Sequence, residues 1–377
     1  MNKIYYFDHS ATTAVDEEVL KEMIPYFNIS YGNPSSAYSI GRKNRMAIEQ
    51  AREQVARVLN CKKNEVYFTG CGSESDNLAL KGIIYANKNE KKHIITSKIE
   101  HHAILNTCKT LEKEGVEVKY LNVDNKGRIN LKELENSIKP STIIISIMTA
   151  NNEIGTIQPL NEIGLIARRH NVLFHTDAVQ AIGNLKIDVN EMNIDLLSLS
   201  AHKFYGPKGV GALYVRNGVE FIEIQDGGHQ EKGKRAGTEN VAGIVGLGKA
   251  IEKAYKNIDE YNRKISELRD YCIEELKKNF KNIKLNGDLN NKLSGNINVS
   301  FIGEDSTELL LKLDEKNICV SAGSACNTGS TEPSHVLTAI GLNNDEASGT
   351  LRITLGKENT KEDICYFIES LKKIMEK

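Results

Sequence analysis

The sequence predicts an α/β protein built on a mainly parallel sheet, with a second, smaller α+β domain. Short runs of Ile, Val and Leu alternate with helical segments from Val66 to Val215, a pattern typical of consecutive βαβ units. The chain then becomes helical over the long charged stretch Thr238–Lys278, before new strands begin. At 377 residues it is also longer than one hydrophobic core usually supports.

We expect the large domain to span residues 14–255, and the small domain to combine residues 1–13 with residues 256–377. The extended segment Tyr5–Thr13 is suited to pack against the small domain. The large sheet is predicted to contain the strands Val66–Thr69, His93–Ser97, Val116–Val123, Thr142–Met148, Val172–Asp177, Leu196–Ser200 and Ala212–Val215. The predicted helices of this domain are Asp16–Tyr26, Arg42–Leu59, Ser73–Ala86, His101–Glu114, Leu131–Ile138 and Leu160–His170. In the small domain we predict strands at Asn296–Phe301, Ile318–Ser321 and Thr350–Leu355, and helices at Thr307–Lys316 and Lys361–Met375.

Composition excludes several classes of protein. The net charge is -1, so no basic excess indicates nucleic-acid binding, and no apolar run is long enough to cross a bilayer. Seven cysteines, an odd number with no CxxC pair, argue against a disulfide framework or a zinc site and favour a reducing cytoplasm.

The most informative lysine is Lys203, which follows the buried strand ending at Ser200 and precedes a Gly-rich turn. A lysine held there can lose solvent, which favours the neutral amine that attacks carbonyl groups. Taken alone, the same pattern also fits an ordinary surface lysine in a turn.

Polar residues follow other strands too, and the carboxyl ends of parallel strands are where ligands bind. In FTGCGSESDNL a Gly-rich turn opens a helix, with Ser73 placed to cap it, which suits a phosphate. Asp177 and Gln180 could pair with a ring nitrogen and a ring oxygen, although Asp177 could also be a plain helix cap. Asn152 and His101 leave the same choice open between ligand binding and local structure.

Three further segments carry candidate groups. Gly228 and Gly233–Lys234 have P-loop spacing, but Arg235 stands where that motif needs Ser or Thr, so a nucleotide P-loop is rejected. Cys326, in SAGSACNTGSTEP, differs from the cysteines in apolar patterns because its neighbours are small and polar, as reactive thiols require. Arg352, in TLRITL, suits bidentate binding of a carboxylate, or simply faces solvent from a strand.

Taken together, these segments resemble the cysteine desulfurases of the NifS and IscS group, which are pyridoxal-phosphate (PLP) enzymes of aminotransferase class V. The resemblance runs nearly end to end, through FDHSATT, YGNPSSAYSIGR, NNEIGTIQP, HTDAVQAIG, SAHKFYGPKGVGALYVR, RAGTEN, SAGSAC and LRITLG. It implies the aminotransferase fold type I, in which the large domain binds the cofactor.

The resemblance also implies a role for each candidate residue. Lys203 would form the Schiff base with PLP, Asp177 would pair with the pyridinium nitrogen, and Gln180 would contact the ring hydroxyl. His101 would stack on the ring and act in acid–base steps. Cofactor contacts would also come from Gly72, Ser73, Asn152, Ser200 and His202, with Thr238 reaching over from a second subunit. The substrate carboxylate would be bound by Asn33, Asn152 and Arg352, and no metal is expected.

By the same resemblance, L-cysteine is converted to L-alanine, and the sulfur stays as a persulfide on Cys326, in the long loop Ser321–Pro333. The partners implied are a second copy of the chain and a sulfur acceptor, such as an iron–sulfur scaffold or a tRNA-thiolation enzyme, in the cytoplasm. Which acceptor applies stays open. A selenocysteine lyase or another class-V enzyme is the alternative activity, and a non-catalytic scaffold would not need both Lys203 and Cys326.

The chain departs from the family pattern at two places. His9 stands where Asn is common, and the phosphate turn reads GCGSES instead of SGATES. Ser73 keeps a hydroxyl there, so phosphate binding is still expected. No role follows from the sequence for Cys71.

Overall fold

The computed structural model describes residues 3–322 and 333–376. Its strands are β1 (Tyr5–Tyr6), β2 (Val66–Thr69), β3 (His93–Ser97), β4 (Glu117–Leu121), β5 (Thr142–Ser146), β6 (Leu173–Asp177), β7 (Leu196–Ser200), β8 (Gly211–Val215), β9 (Ile283–Leu285), β10 (Asn296–Phe301), β11 (Ile318–Cys319), β12 (Ser321–Ala322) and β13 (Thr350–Thr354).

The helices between them agree with the sequence pattern to within a few residues at most ends. They are α1 (Glu17–Met23), α2 (Pro25–Asn28), α3 (Ser39–Leu59), α4 (Gly72–Ala86), α5 (His102–Lys113), α6 (Leu131–Asn136), α7 (Leu160–Arg169), α8 (Gln230–Gly233), α9 (Val241–Lys256), α10 (Ile258–Asn279), α11 (Ser306–Asp314), α12 (His335–Ala339), α13 (Asn344–Ser348) and α14 (Lys361–Met375). Within the described part of the chain, no helix has the length and apolar character needed to span a membrane.

The large sheet has seven strands in the order β2-β8-β7-β6-β5-β3-β4. Strands β4, β3, β5, β6 and β7 pair in parallel, whereas β8 runs antiparallel to both of its neighbours, β7 and β2. The prediction of a mainly parallel sheet is therefore confirmed. Because the parallel strands end at one edge, the turns after β3, β5, β6 and β7 lie near one another.

Both faces of this sheet are buried, because adjacent residues of a strand point to opposite sides. Ile95, Ile145 and Leu197 belong to one apolar cluster, which includes residues of α3, α7 and α9. Their neighbours Ile94, Ile144 and Leu196 belong to a second cluster with residues of α4 and α5. The strands therefore read as continuous apolar runs, not as alternating ones.

A smaller sheet of order β12-β13-β10-β9 has a core of its own, together with α10, α11 and α14. The N-terminal segment joins this part of the molecule: β1 pairs in parallel with β11, and Phe7 is fully buried in the smaller core. The expected packing of Tyr5–Thr13 on the C-terminal part is therefore confirmed at its start. The division at residues 14–255 stays a prediction.

Candidate active site

A cavity of about 330 Å³ lies at the carboxyl edge of the large sheet, closed on one side by the N-terminal segment. It collects residues from elements that are far apart in sequence. Ten of the residues selected from the sequence line it: Gly72, Ser73, His101, Asn152, Asp177, Gln180, Ser200, His202, Lys203 and Arg352. This juxtaposition of polar groups from separate strand ends is what a ligand site in an open α/β sheet requires.

Lys203 lies at the end of a short 3-10 turn that directly follows β7. Its Nζ donates hydrogen bonds to the backbone carbonyl oxygens of Ser10, at 2.5 Å, and Ala11, at 2.7 Å. The amine is thereby held inside the cavity, against the N-terminal segment, and both of these carbonyl acceptors are neutral. Its position fits an amine that must reach a carbonyl group in the cavity.

Asp177 is the last residue of β6 and is only 6% exposed. Burial raises the pKa of its carboxyl, and the nearby His101, the Val179 N–H group and Lys203 act in the opposite direction. The Val179 N–H group donates to Asp177 Oδ1 at 2.9 Å, which fixes the carboxyl orientation. A buried carboxyl so placed would bind a protonated ring nitrogen strongly.

The N-terminus of α4 forms another part of the cavity lining. Ser73 does not cap this helix, contrary to prediction: α4 begins at Gly72, and Cys71 occupies the cap position without a capping side-chain hydrogen bond. A Cβ atom on Gly72 would lie 2.6 Å from Cγ2 of Val179, so this close approach requires glycine. The first turn therefore keeps the polar, positive character that favours a bound phosphate.

Two histidines of the site are neutral near pH 7. Burial lowers the pKa of His101, whose Nδ1 accepts a hydrogen bond from the Ala103 N–H group at 3.1 Å. That bond assigns the proton of the neutral ring to Nε2. Burial, with the charge of Lys203, lowers the pKa of His202 to about 4, and its Nδ1 lies 3.1 Å from Oγ1 of Thr12. Each ring can therefore offer a neutral hydrogen bond.

Arg352 is buried on β13, with 2% of its surface exposed. Its Nη2 donates to Asp8 Oδ1 at 2.8 Å, and its Nη1 lies 3.4 Å from the carbonyl oxygen of Asn152. Its Nε has no hydrogen-bond partner among the described residues. The guanidinium thus combines a fixed position with a spare donor, which suits an incoming carboxylate.

Three selected residues lie elsewhere. Asn33 is exposed in the turn before α3, where its side chain accepts a hydrogen bond from the Ser35 N–H group. Thr238 is exposed and does not line the cavity of its own subunit. Cys326, with most of the loop Ser321–Pro333, lies outside the described residues. Their functional roles stay predictions.

Three residues that no sequence pattern selected also contribute to the site: Asp76, Ser10 and Asp8. Asp76 lines the cavity from α4 and is 1% exposed. Its Oδ1 lies 3.8 Å from Nε2 of His175 and has no hydrogen-bond partner among the described residues. Burial first, and the neighbouring Asp177 second, raise its pKa. A possible signal was its position three residues after Ser73, on the same face of the helix. Ser10 and Asp8 act through a backbone carbonyl and an ion pair, for which the sequence has no pattern.

The sequence matches the family described as "Aminotransferase class-V" over residues 5–367. The chain belongs to this family. Curated relatives include "Cysteine desulfurase IscS" of Clostridium botulinum, 55% identical over 377 residues, which are all of this chain and 95% of the relative. "Cysteine desulfurase IscS" of Methanosarcina thermophila is 54% identical over 376 residues, covering 100% of this chain and 93% of the relative.

Solved structures agree with this class-V assignment. A structure titled "NIFS-LIKE PROTEIN" superposes with a TM-score of 0.94 at 39% identity, covering 99% of both chains. A structure titled "SspA in complex with cysteine" gives a TM-score of 0.83 at 43% identity, covering 94% of this chain and 99% of that one. The aminotransferase-type fold and the resemblance to cysteine desulfurases are therefore confirmed.

Pyridoxal phosphate is the cofactor of this group, and the cavity fits it on structural grounds. The glycine cradle at Gly72 and the uncapped end of α4 suit its phosphate. The buried Asp177 suits its ring nitrogen, and Lys203 suits its aldehyde. Ser73, Ser200 and His202 also line the cavity, and their hydroxyl and imidazole groups would supply further neutral hydrogen bonds.

Proposed function

We propose that this class-V enzyme is a cysteine desulfurase that converts L-cysteine to L-alanine and retains the sulfur as a persulfide on Cys326. The observation that carries the proposal is the meeting of Lys203, Asp177 and Arg352 in one cavity. These supply the amine, the buried carboxyl and the guanidinium that an amino-acid substrate and PLP require. Relatives named cysteine desulfurase, similar over the full chain, support the choice of substrate.

Each residue has a distinct task in this proposal. Arg352 binds the substrate carboxylate through its spare donor and so orients Cα. Lys203 takes the proton from Cα as a general base. Bound PLP supplies an electron sink for the carbon that loses this proton. His101, neutral and protonated at Nε2, lines the same cavity and can hydrogen-bond or transfer a proton there.

The sulfur transfer needs no outside oxidant. The Cys326 thiolate forms a bond to the substrate sulfur while the Cβ–S bond breaks. The electron pair of that bond stays with carbon, which takes up a proton and leaves as alanine. One cysteine and one enzyme thiol therefore give one alanine and one enzyme persulfide.

We also propose that the protein acts as a homodimer, with Thr238 of each copy contributing to the phosphate site of the other. Thr238 is exposed and lies outside its own cavity. Elsewhere in the chain, three large apolar side chains within five residues of one another are exposed: Phe27 at 65%, Ile29 at 70% and Tyr31 at 70%. Patches of this kind usually mark an interface.

The persulfide would pass to an acceptor protein, either an iron–sulfur scaffold or a tRNA-thiolation enzyme, in the cytoplasm. The name IscS carried by the relatives favours the scaffold. A selenocysteine lyase or another class-V enzyme is the second candidate. It differs from the first in not needing Cys326 for release of sulfur.

The test compares wild type with Cys326→Ser and Lys203→Ala. Purified protein is examined for a visible absorption band, and sulfide and alanine are assayed from L-cysteine. We expect equal amounts of the two products, a retained band with loss of sulfide in Cys326→Ser, and loss of the band in Lys203→Ala. If Cys326→Ser releases sulfide and alanine as fast as wild type, the result would instead support the second candidate.

A further inference from the structure

The segment that carries Thr238 is anchored to α3 by a buried ion pair. Glu231, in α8, is 7% exposed, and Arg52, on α3, is 4% exposed. Arg52 Nη1 lies 2.7 Å from Glu231 Oε2, and Arg52 Nη2 lies 2.8 Å from Glu231 Oε1. Bidentate geometry of this kind fixes both direction and distance. None of the functional roles described above uses this pair.

The same pair covers one edge of the large sheet. Strand β2 is the outermost strand at that edge, and Glu231 Oε2 accepts a hydrogen bond from the Phe68 N–H group at 2.9 Å. Arg52 Nη1 donates to the Val66 carbonyl oxygen at 2.8 Å. Edge groups of a sheet need such partners, so Glu231 binds at a position set by the sheet itself. The position of the segment that carries Thr238 is thereby fixed relative to the large sheet.

The backbone at this anchor is in an unfavourable conformation. Glu231 has φ 45° and ψ 44°, and Lys232 has φ 59° and ψ 31°. Two consecutive left-handed residues other than glycine are rare, and they persist only where the surroundings hold them. The buried contacts of Glu231 provide that hold. The path of the chain toward Thr238 therefore depends on the Glu231 carboxylate.

A second contact, between Arg235 and Glu74, joins the same segment to the helix end at the cofactor site. Arg235 Nε donates to Glu74 Oε1 at 2.7 Å, and Glu74 lies in the first turn of α4. Gly237 N donates to Gln230 Oε1 at 3.1 Å. Between these two contacts and Asn240, which caps α9, only a few residues remain. Thr238 is one of them, and it is exposed.

We propose that Glu231 is a positioning residue: through Arg52 and the β2 edge it sets the segment that presents Thr238 to the phosphate site of a second copy of this chain. This inference rests on the proposed homodimer. Its distinguishing consequence is that loss of the Glu231 carboxylate weakens cofactor binding in the partner's site, not in the altered copy's own site.

Hybrid dimers with a single functional Lys203 test this. Two differently tagged copies are combined, and PLP is titrated while the visible absorption band is recorded. In the first hybrid, Lys203→Ala and Glu231→Gln are on the same copy, so the remaining Lys203 site faces the altered segment. In the second hybrid, the two substitutions are on different copies, so that site faces an unaltered segment. The reference hybrid carries Lys203→Ala alone.

We expect the first hybrid to bind PLP about tenfold more weakly than the reference, because a hydrogen bond to a charged group is lost. The second should stay within about twofold of it. Glu53→Gln is the matched control, since Glu53 is also an ion-paired glutamate, bonded to Lys63, but is exposed. A weakening confined to the second hybrid, or equal in both, would overturn the inference.

Two further variants cover the case in which Glu231→Gln does not fold and separate the role of Glu231 from that of Thr238. If Glu231→Gln does not fold, the double variant Arg52→Met/Glu231→Leu removes both buried charges together and is used in the same hybrids. Thr238→Ala is tested in parallel. If it weakens PLP binding in the partner's site while the Glu231 variants do not, the inference alone fails. If Thr238→Ala has no effect across the interface, the proposed shared site fails as well.

Discussion

Arg352 shows how one residue can be both structural and ready for a ligand. Its guanidinium is buried and held by Asp8, yet Nε keeps a free hydrogen-bonding position in the described structure. A buried guanidinium without full pairing is costly, so its retention at a cavity wall indicates a function. Asp8 would also keep the group from swinging away when substrate is absent. The residue is therefore preorganised for a carboxylate.

Replacing this guanidinium with an ammonium group tests that role. We expect Arg352→Lys to lower kcat/KM for L-cysteine about 10- to 100-fold, mainly through KM, because the charge-assisted hydrogen bond from Nε is lost. Steady-state kinetics would measure it, with the visible band as the check on cofactor loading. Arg263→Lys, in an exposed pair on α10, is the control. An unchanged KM would remove Arg352 from substrate binding.

Glu100 should make stability depend on pH. Burial raises its pKa to about 8, although Ser97 and the Met148 N–H group stabilise its charged form. The folded protein therefore holds this proton more tightly than the unfolded chain does. The resulting stabilisation is complete below about pH 4.5 and is lost as the pH rises through about 8.

Removing the titrating group should remove that dependence. In Glu100→Gln we expect the Tm of the cofactor-free protein to vary less between about pH 5 and about pH 8 than in wild type. Thermal unfolding followed by circular dichroism across this range would measure it. Glu112→Gln, an exposed change on the neighbouring helix, should keep the wild-type slope. Equal slopes in Glu100→Gln and wild type would contradict the assignment.

The residues that sequence alone could select were those in recognisable patterns. Lys203, Asp177 and His101 each follow or precede a regular element, and the structure brings them together. Asp76 was missed because a carboxyl within a helix normally reads as solvent-facing, whereas tertiary packing buries this one. Ser10 was missed because its backbone carbonyl contributes, and any residue type could provide that.

Among the elements, α4 has the clearest link between packing and function. Its first turn lies so close to the turn after β6 that a Cβ atom at residue 72 would come within 2.6 Å of Val179 Cγ2. Since the helix end is where the phosphate is expected, this contact sets the distance between phosphate and ring sites. Helix position and cofactor geometry are therefore coupled.

Gly72→Ala should push the end of α4 away from Val179. We expect PLP affinity to fall about tenfold, through lengthened hydrogen bonds to the phosphate. The double variant Gly72→Ala/Val179→Ala removes the obstructing Cγ2 and should recover most of that loss. PLP titration of the visible band measures both. If the double variant binds no better than Gly72→Ala, the contact with Val179 does not position the helix.

Regular elements were predictable where their pattern was long. Strands β2, β3 and β7 have the predicted bounds, and α14 is also as expected. Strand β9 was missed because three residues are too few to show a period. The left-handed turn at Glu231 was missed because it depends on Arg52, which lies far away in sequence.

At the scale of the whole molecule, the active site lies where two separately packed regions meet. Its floor belongs to the large sheet, while Arg352 comes from the smaller one and Ser10 from the N-terminal segment. A site of this construction depends on the relative placement of the regions. In the proposed homodimer a second copy completes this site through Thr238, and we expect the exposed apolar stretch of Phe27, Ile29 and Tyr31 to belong to the interface.

Charges on that stretch should separate the proposed dimer. We expect Phe27→Asp/Ile29→Asp to be monomeric and to bind PLP at least about tenfold more weakly, because Thr238 of the partner would be lost. Analytical ultracentrifugation and PLP titration would measure the two effects. Leu311→Asp, at an equally exposed leucine on α11, should remain dimeric. A monomeric double variant with normal PLP affinity would separate dimerisation from cofactor binding.

The pairing of β1 with β11 has a consequence for biosynthesis. Tyr5 and Tyr6 leave the ribosome long before their partners Ile318 and Cys319 are made. The large sheet contains neither of these two strands. The wall that gives Lys203 its carbonyl acceptors can therefore be fixed in place only after β11 has emerged. The cofactor pocket thus joins a segment that is made before the large sheet to a strand that is made after it.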